Sequence, residues 1–260
     1  MAHLLNFSSQ GSGTSLVFIH GWGLNAGIWQ PTAQALSDQF QVITVDLPGF
    51  GTNVGHTISP YSLDRVSELV SQIIEKPAVI VGWSLGGLVA TNLALAHPEK
   101  VKGVVAVASS PYFVESDQWP GIKPDVLSLF HRQLSQDTQR TIDNFLKIQA
   151  MGSPHIRQDI KVIRDLIMQF DMPSKTTLDE SLGLLETVDL RDELNSIEVP
   201  YFRMYGKLDS LVPQRAIAHI DELIPQSEKI VFDAASHAPF ISHFELFVKA
   251  LRNWLTRHYS

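Results

Sequence analysis

The stretch from Val79 to Ala90 constrains this chain more than any other. A β-branched apolar run (Val79-Ile80-Val81) enters Gly82-Trp83-Ser84-Leu85-Gly86, and a helical apolar pattern leaves it. The G-x-S-x-G spacing between a strand and a helix describes a sharp elbow with one serine at its tip. A turn this tight brings backbone against backbone, so Gly82 and Gly86 stand where a Cβ has no room. The helix that follows aims its free N–H groups and the positive end of its dipole at the serine. A hydroxyl placed there can attack an acyl carbon while nearby N–H groups receive the oxyanion. Ser84 is therefore the candidate nucleophile.

A strand–turn–helix unit needs a sheet around it, and the chain supplies one. Ser15–His20, Gln41–Val45, Val101–Ala108, Tyr201–Tyr205 and Lys229–Phe232 read as further strands. Helical spacing fills the intervals at Ile28–Leu36, Ser62–Ile74, Ala216–Leu223 and Phe244–Trp254. Continuous apolar strands alternating with helices predict an α/β protein: a mostly parallel sheet covered by helices on both faces. The alternation stops between Tyr112 and Thr187, where no strand is legible. Pro111, Pro120, Pro124, Pro154 and Pro173 punctuate that stretch. Between them run three apolar stripes: Val126/Phe130/Leu134, Ile142/Phe145/Ile148 and Ile156/Ile160/Ile163/Ile167. The expectation is a core of residues 1–111 and 188–260, with a helical cap at 112–187 inserted over it.

A serine hydroxyl needs a base, and the base needs a carboxylate to fix its tautomer. Asp209 and His237 each follow a predicted strand. In a parallel sheet those loops gather at the same edge as Ser84. The order Ser84, Asp209, His237 thus assembles a nucleophile, an orienting acid and a base. His20 reads as the pin of the glycine-rich loop His20–Asn25, Asp46 as a turn residue, and His243 as a cap of the last helix. Asp233 serves the turn after its strand. The backbone N–H groups of Trp22 and Leu85 are the candidate oxyanion donors. No histidine/carboxylate cluster has ligand spacing, so no metal is expected.

The bulk numbers close off other classes. A net charge of −7 argues against a nucleic-acid binder. With no cysteine among 260 residues, disulfides and thiolate chemistry are excluded. Met1–Gly13 has no charged segment leading into a long apolar run, so no signal peptide is expected. No apolar stretch is long enough to span a membrane.

The Ser…Asp…His order and the elbow are those of the α/β-hydrolases. Members with an aspartate at the elbow attack halides and epoxides. Serine here points to an ester, thioester, amide, lactone or C–C acyl bond. The motifs H-G-W-G-L-N (20–25), D-L-P-G-F-G (46–51), G-W-S-L-G-G-L-V-A (82–90), W-P-G-I-K-P-D-V-L (119–127) and H-A-P-F-I-S-H (237–243) carry the likeness further. They resemble the biotin-pathway carboxylesterases that act on pimeloyl-acyl carrier protein methyl ester. The resemblance runs from about residue 15 to 255 and includes the cap. It implies a cytoplasmic, monomeric enzyme without a cofactor, whose substrate rides on acyl carrier protein, with neither nucleic acid nor membrane as partner. It also implies that Trp83 and Phe145 wall the acyl chain.

Carrier proteins are acidic, and the cap is locally basic. His131–Arg164 holds six Lys/Arg against three Asp. Arg157, Lys161 and Arg164 fall on one helix face. With Arg140 they form the expected docking surface. Asn144 stands where the family pattern suggests another arginine, and Lys161 replaces one, offering a point charge instead of a fork. A general short-chain esterase, a C–C bond hydrolase and a ligand receptor on the same scaffold remain open alternatives.

Overall fold

The computed structural model describes residues 5–151, 153 and 155–259. Pro154 and the first four residues of the N-terminal stretch lie outside them. The strands are β1 (Phe7–Gln10), β2 (Thr14–Ile19), β3 (Phe40–Val45), β4 (Ala78–Trp83), β5 (Val101–Val107), β6 (Tyr201–Gly206) and β7 (Glu228–Phe232). They form one sheet in the order β1-β3-β2-β4-β5-β6-β7. Only the β1–β3 pairing is antiparallel. β1 has no counterpart in the sequence reading, because Phe7-Ser8-Ser9-Gln10 carries no apolar run and three of its residues are exposed.

β4 is buried at every position, which requires cover on both faces. Helices α1 (Gln30–Leu36), α2 (Leu63–Ser71), α3 (Leu85–Ala96), α8 (Gln214–Leu223), α9 (Pro239–Ser242) and α10 (Phe244–Tyr259) surround the sheet. α2 packs against α3, and α1 packs against α10. Ser62 caps α2 by accepting the Arg65 N–H through its hydroxyl. An aromatic chain runs through the interior from Phe18 to Trp29, Phe240 and Trp83, with ring centroids 5.1, 4.2 and 5.0 Å apart.

Between β5 and β6 stand four helices: α4 (Pro124–Gln136), α5 (Thr138–Gln149), α6 (Ile156–Ile167) and α7 (Lys175–Thr187). The three apolar stripes match α4, α5 and α6. All three need correction. On α4 Val126 is only half-buried, and Leu127 joins Phe130 and Leu134 in the buried face. Ile156 is exposed and Ile160 only half-buried, so α6 seats itself through Ile163 and Ile167. On α5 the buried face is Ile142, Phe145, Leu146 and Gln149, with Ile148 only half-buried. α7 buries Leu178, Leu182, Leu184 and Leu185. Isolated bridges at Tyr112–Asp189, Val114–Ile122 and Ser116–Trp119 add short extended pairings where the sequence showed none.

Core donors hold the helical segment by its carbonyls. The last carbonyls of a helix lack intrahelical partners. Asn25 Nδ2 donates to Ile167 O at the end of α6 (2.9 Å), and the His237 N–H donates to Gln149 O at the end of α5 (3.2 Å). Trp22 Nε1 donates to Leu178 O (3.0 Å), and Ser236 Oγ to Met151 O (2.6 Å).

At the elbow the chain turns where side chains would collide. A Cβ on Gly82 would lie 2.0 Å from Gly86 O, and one on Gly86 2.4 Å from Ile19 O. Gly82→Ala is therefore expected to destabilise the protein by about 2 kcal/mol or more, since backbone cannot yield as a flexible side chain does. Urea unfolding midpoints of the variant and the parent chain measure this.

Candidate active site

Ser84 lies between the end of β4 and the first residue of α3, with φ 54° and ψ −116°. A non-glycine residue at positive φ is strained. Four bonds around it hold the conformation. Its N–H donates to Val107 O (2.9 Å), while its carbonyl accepts from Gly87 N (2.8 Å) and Ser109 Oγ (2.8 Å). One turn further on, the Thr91 hydroxyl donates to Gly87 O (2.7 Å).

Asp209 and His237 meet at the same end of the sheet, in the loops after β6 and β7. His237 Nδ1 lies 2.8 Å from Asp209 Oδ2, and both side chains are fully buried. A carboxylate only accepts, so Nδ1 carries the proton and Nε2 is left bare. The other oxygen, Asp209 Oδ1, accepts the N–H groups of Leu211 (2.8 Å) and Val212 (3.0 Å). His237 Nε2 is buried without a hydrogen-bond partner. An unpaired buried nitrogen costs about 1–3 kcal/mol, a cost accepted where a proton is to be received.

Trp22 sits on the loop beside the elbow. The neighbouring Gly21 packs so closely that a Cβ there would stand 3.4 Å from Ser84 Cβ. Neither the Trp22 nor the Leu85 backbone N–H donates to an acceptor among the described residues. Phe145 meets the Trp22 ring edge-on at 4.7 Å. The Trp83 indole N–H donates to His237 O (2.8 Å) and its ring packs on Phe240. It braces the histidine loop from behind.

The other polar residues of the loops have structural work. Asp46 accepts from Ala26 N (2.6 Å), Thr52 N and Thr52 Oγ1. Asp233 pairs with Lys207 in solvent, and His243 bonds Ser242 Oγ at the head of α10. His20 Nδ1–H donates to Gly21 O (2.8 Å), and its Nε2 accepts the Leu47 N–H (3.0 Å). Complete burial lowers its pKa, against the opposing pull of Asp46 and the Gly21 carbonyl.

Of the four cap cations, Arg140, Arg157, Lys161 and Arg164 are all exposed. Arg164 is the exception in availability, because it bonds Asp143 at 2.6 Å. The three local acids are engaged within the cap: Asp143 on Arg164, Asp137 capping the Arg140 N–H (3.0 Å), and buried Asp159 accepting from Ser153 Oγ (2.5 Å). Ile156 and Val162 lie exposed among the cations. Among the described residues no group of His, Asp and Glu gathers as metal ligands, and no helix is long and apolar enough to cross a membrane.

The family model for the alpha/beta hydrolase fold matches residues 14–244. A pimeloyl-[acyl-carrier protein] methyl ester esterase of Vibrio cholerae is 46% identical over 257 residues, covering 99% of this chain and 100% of that one. One of Aeromonas hydrophila is 46% identical over 245 residues, covering 94% and 96%. The chain belongs to the α/β-hydrolase family, among the pimeloyl-[acyl-carrier protein] methyl ester esterases. The scaffold extends wider. An esterase from Exiguobacterium antarcticum superposes with a TM-score of 0.86 at 24% identity, over 97% of this chain and 95% of its own. An enol-lactonase from Burkholderia xenovorans gives 0.82 at 20%, over 97% and 96%. Those two likenesses speak to the fold alone.

The esterase loop rests on neutral His20. Its folded pKa lies below the ordinary value of about 6.5, so its contribution to stability is complete above that pH and is lost as pH falls through the lowered pKa. His20→Gln removes this term. The drop in melting temperature between neutral and mildly acidic buffer is expected to be smaller in His20→Gln than in the parent chain.

Proposed function

We propose that this chain is a serine carboxylesterase that hydrolyses the methyl ester of pimeloyl-acyl carrier protein, giving methanol and the free ω-carboxylate for biotin synthesis. The buried His237–Asp209 pair, on post-strand loops at the sheet edge where the strained Ser84 also lies, carries the chemical part of this reading. The substrate named for relatives at 46% identity supports the rest.

His237 Nε2 takes the proton from Ser84 Oγ as the oxygen attacks the ester carbonyl. Asp209, held by two backbone N–H groups, stabilises the imidazolium. The carbonyl oxygen becomes an oxyanion between the N–H groups of Trp22 and Leu85, where one such donor is worth roughly 10²–10³ in turnover. The intermediate collapses, His237 returns the proton to the methoxy oxygen, and methanol leaves. Water then attacks the acyl-serine by the same route. Residues 112–187 act as the cap that roofs this centre, with Phe145 as an apolar wall. The reaction draws on no cofactor, and the enzyme works as a cytoplasmic monomer.

Carrier docking is assigned to Arg140, Arg157 and Lys161. Arg164 is a secondary contributor, because its charge is shared with Asp143. Within His131–Arg164 the three acids have local partners, which favours a basic face here although the whole chain carries −7. Such a surface attracts an acidic partner and weakens with salt.

Ser84→Ala is expected to lower kcat by roughly 10⁴–10⁶ while the melting temperature stays near that of the parent. Undiminished hydrolysis would exclude Ser84 as nucleophile. The double reversal Arg140→Glu/Arg157→Glu is expected to lower kcat/KM on methyl pimeloyl-acyl carrier protein by about tenfold or more at low salt, and to leave free dimethyl pimelate unchanged. Equal losses on both substrates would remove the docking surface and leave a general short-chain esterase.

A further inference from the structure

Gln149 is fully buried, and both its side-chain amide nitrogen and its amide oxygen lack a hydrogen-bond partner. It ends α5, whose buried face carries Ile142, Phe145, Leu146 and Gln149. That face crosses the site from one side to the other. A Cβ on Gly23, in the Trp22 loop, would stand 2.9 Å from Ile142 Cδ1. Phe145 lies against Trp22, and the backbone of Gln149 accepts the His237 N–H. Thr141, also buried on this face, gives its hydroxyl to Asp137 O (2.7 Å), so among the described residues Gln149 is the polar side chain of the stripe left unpartnered, and its backbone lies at the histidine loop.

Two buried, unpaired polar groups therefore come from adjoining residues: His237 Nε2 and the Gln149 amide. Leaving an amide dry costs about 1–3 kcal/mol for each unsatisfied atom, so such a residue calls for a partner that arrives with the reaction. The carbonyl oxygen of the substrate is already served by backbone N–H groups. The site beside the base is occupied in turn by the departing alcohol and the incoming water. Each of these small hydroxylic molecules offers a lone pair and an O–H, the complement of an amide's donor and acceptor.

We infer that Gln149 is a catalytic residue that holds the leaving methanol and then the hydrolytic water at His237. This rests on the serine-esterase reading above. In acylation the Gln149 amide N–H donates to the methoxy oxygen as the carbon–methoxy bond breaks and His237 delivers the proton. In deacylation the amide oxygen accepts one hydrogen of water. The water oxygen bonds to the acyl carbon, and its other proton passes to His237 Nε2. The bond between the acyl carbon and Ser84 Oγ then breaks, Ser84 recovers that proton, and the carboxylic acid leaves.

A p-nitrophenyl ester separates the two halves, because p-nitrophenolate leaves without a proton. Stopped-flow hydrolysis of p-nitrophenyl acetate by Gln149→Met tests the inference. A burst of one p-nitrophenolate per enzyme shows that the variant is folded and acylates. The burst rate is expected to stay within about twofold, while the later steady rate falls about tenfold, the worth of one hydrogen bond of about 1.4 kcal/mol. Gln149→Leu carries the same expectation should Gln149→Met not give a full burst. Burst and steady rates falling together would assign Gln149 to holding the histidine loop, and two unchanged rates would make it a packing residue. Either result overturns the inference. Absence of turnover by the parent chain would instead sink the esterase reading itself.

Discussion

Ser84 holds φ at 54° although backbone strain of this kind costs about 1–3 kcal/mol, and the surrounding residues are fitted to keep it there. Gly82, Gly86 and Gly87 each stand where a Cβ would meet atoms at 2.4 Å or less. The missing side chains let β4 and α3 close on each other, and that closure forces the serine out of the strand. Its peptide groups are then bonded to β5, to Ser109 and to the first turn of α3. The same geometry leaves the Leu85 N–H without an acceptor among the described residues, beside the serine that the elbow sets at its tip. β2 completes the arrangement, because Ile19 O and His20 O pack on Gly86 and carry the Trp22 loop alongside.

The cap is as much part of this centre as the sheet. Ser84 is 2% exposed and His237 fully buried. Bonds across the boundary between cap and core converge on the loops of this centre. Two end on the histidine loop: His237 N to Gln149 O and Ser236 Oγ to Met151 O. Two others tie Trp22 and Asn25 to α7 and α6. These four bonds thus tie the histidine loop and the Trp22 loop to the same helical segment.

The elbow was legible in the sequence because backbone collisions permit so few residue types there. The pairing of Asp209 with His237 was legible because post-strand loops of a parallel sheet converge on one edge. Features set by tertiary contact were not. β1 is a polar edge strand whose pairing with β3 is decided by neighbours and not by pattern. Ile156 fits the helical stripe of α6, but α6 seats on the core through its C-terminal half, so Ile156 stays in solvent. The bond from the Trp83 indole to His237 O joins residues 154 positions apart and has no signal in the sequence. Arg164 counts as a free cation until the packing of α5 on α6 brings Asp143 to it. Gln149 gave one faint signal, a polar residue continuing the apolar stripe of α5, which sequence spacing alone does not distinguish from a solvent-facing helix end.

Charge placement in the cap follows one rule that links these observations. Asp137, Asp143 and Asp159 are each committed to a local partner: a helix N-terminus, an arginine and a serine hydroxyl. None of these three pairs with Arg140, Arg157 or Lys161 through its side chain. A surface salt bridge contributes little to stability, about 0–1 kcal/mol, so the Asp143–Arg164 pair does little to hold the cap shut. Its effect is to set how much positive potential the face presents. An acidic partner, if it docks at Arg157 and Lys161 as proposed, would compete with Asp143 for Arg164. Release of Asp143 from that bond would free α5 from one of its ties to α6. Since α5 carries Phe145 over Trp22 and Gln149 beside His237, the electrostatics of the outer face and the geometry of the buried centre share a single helix.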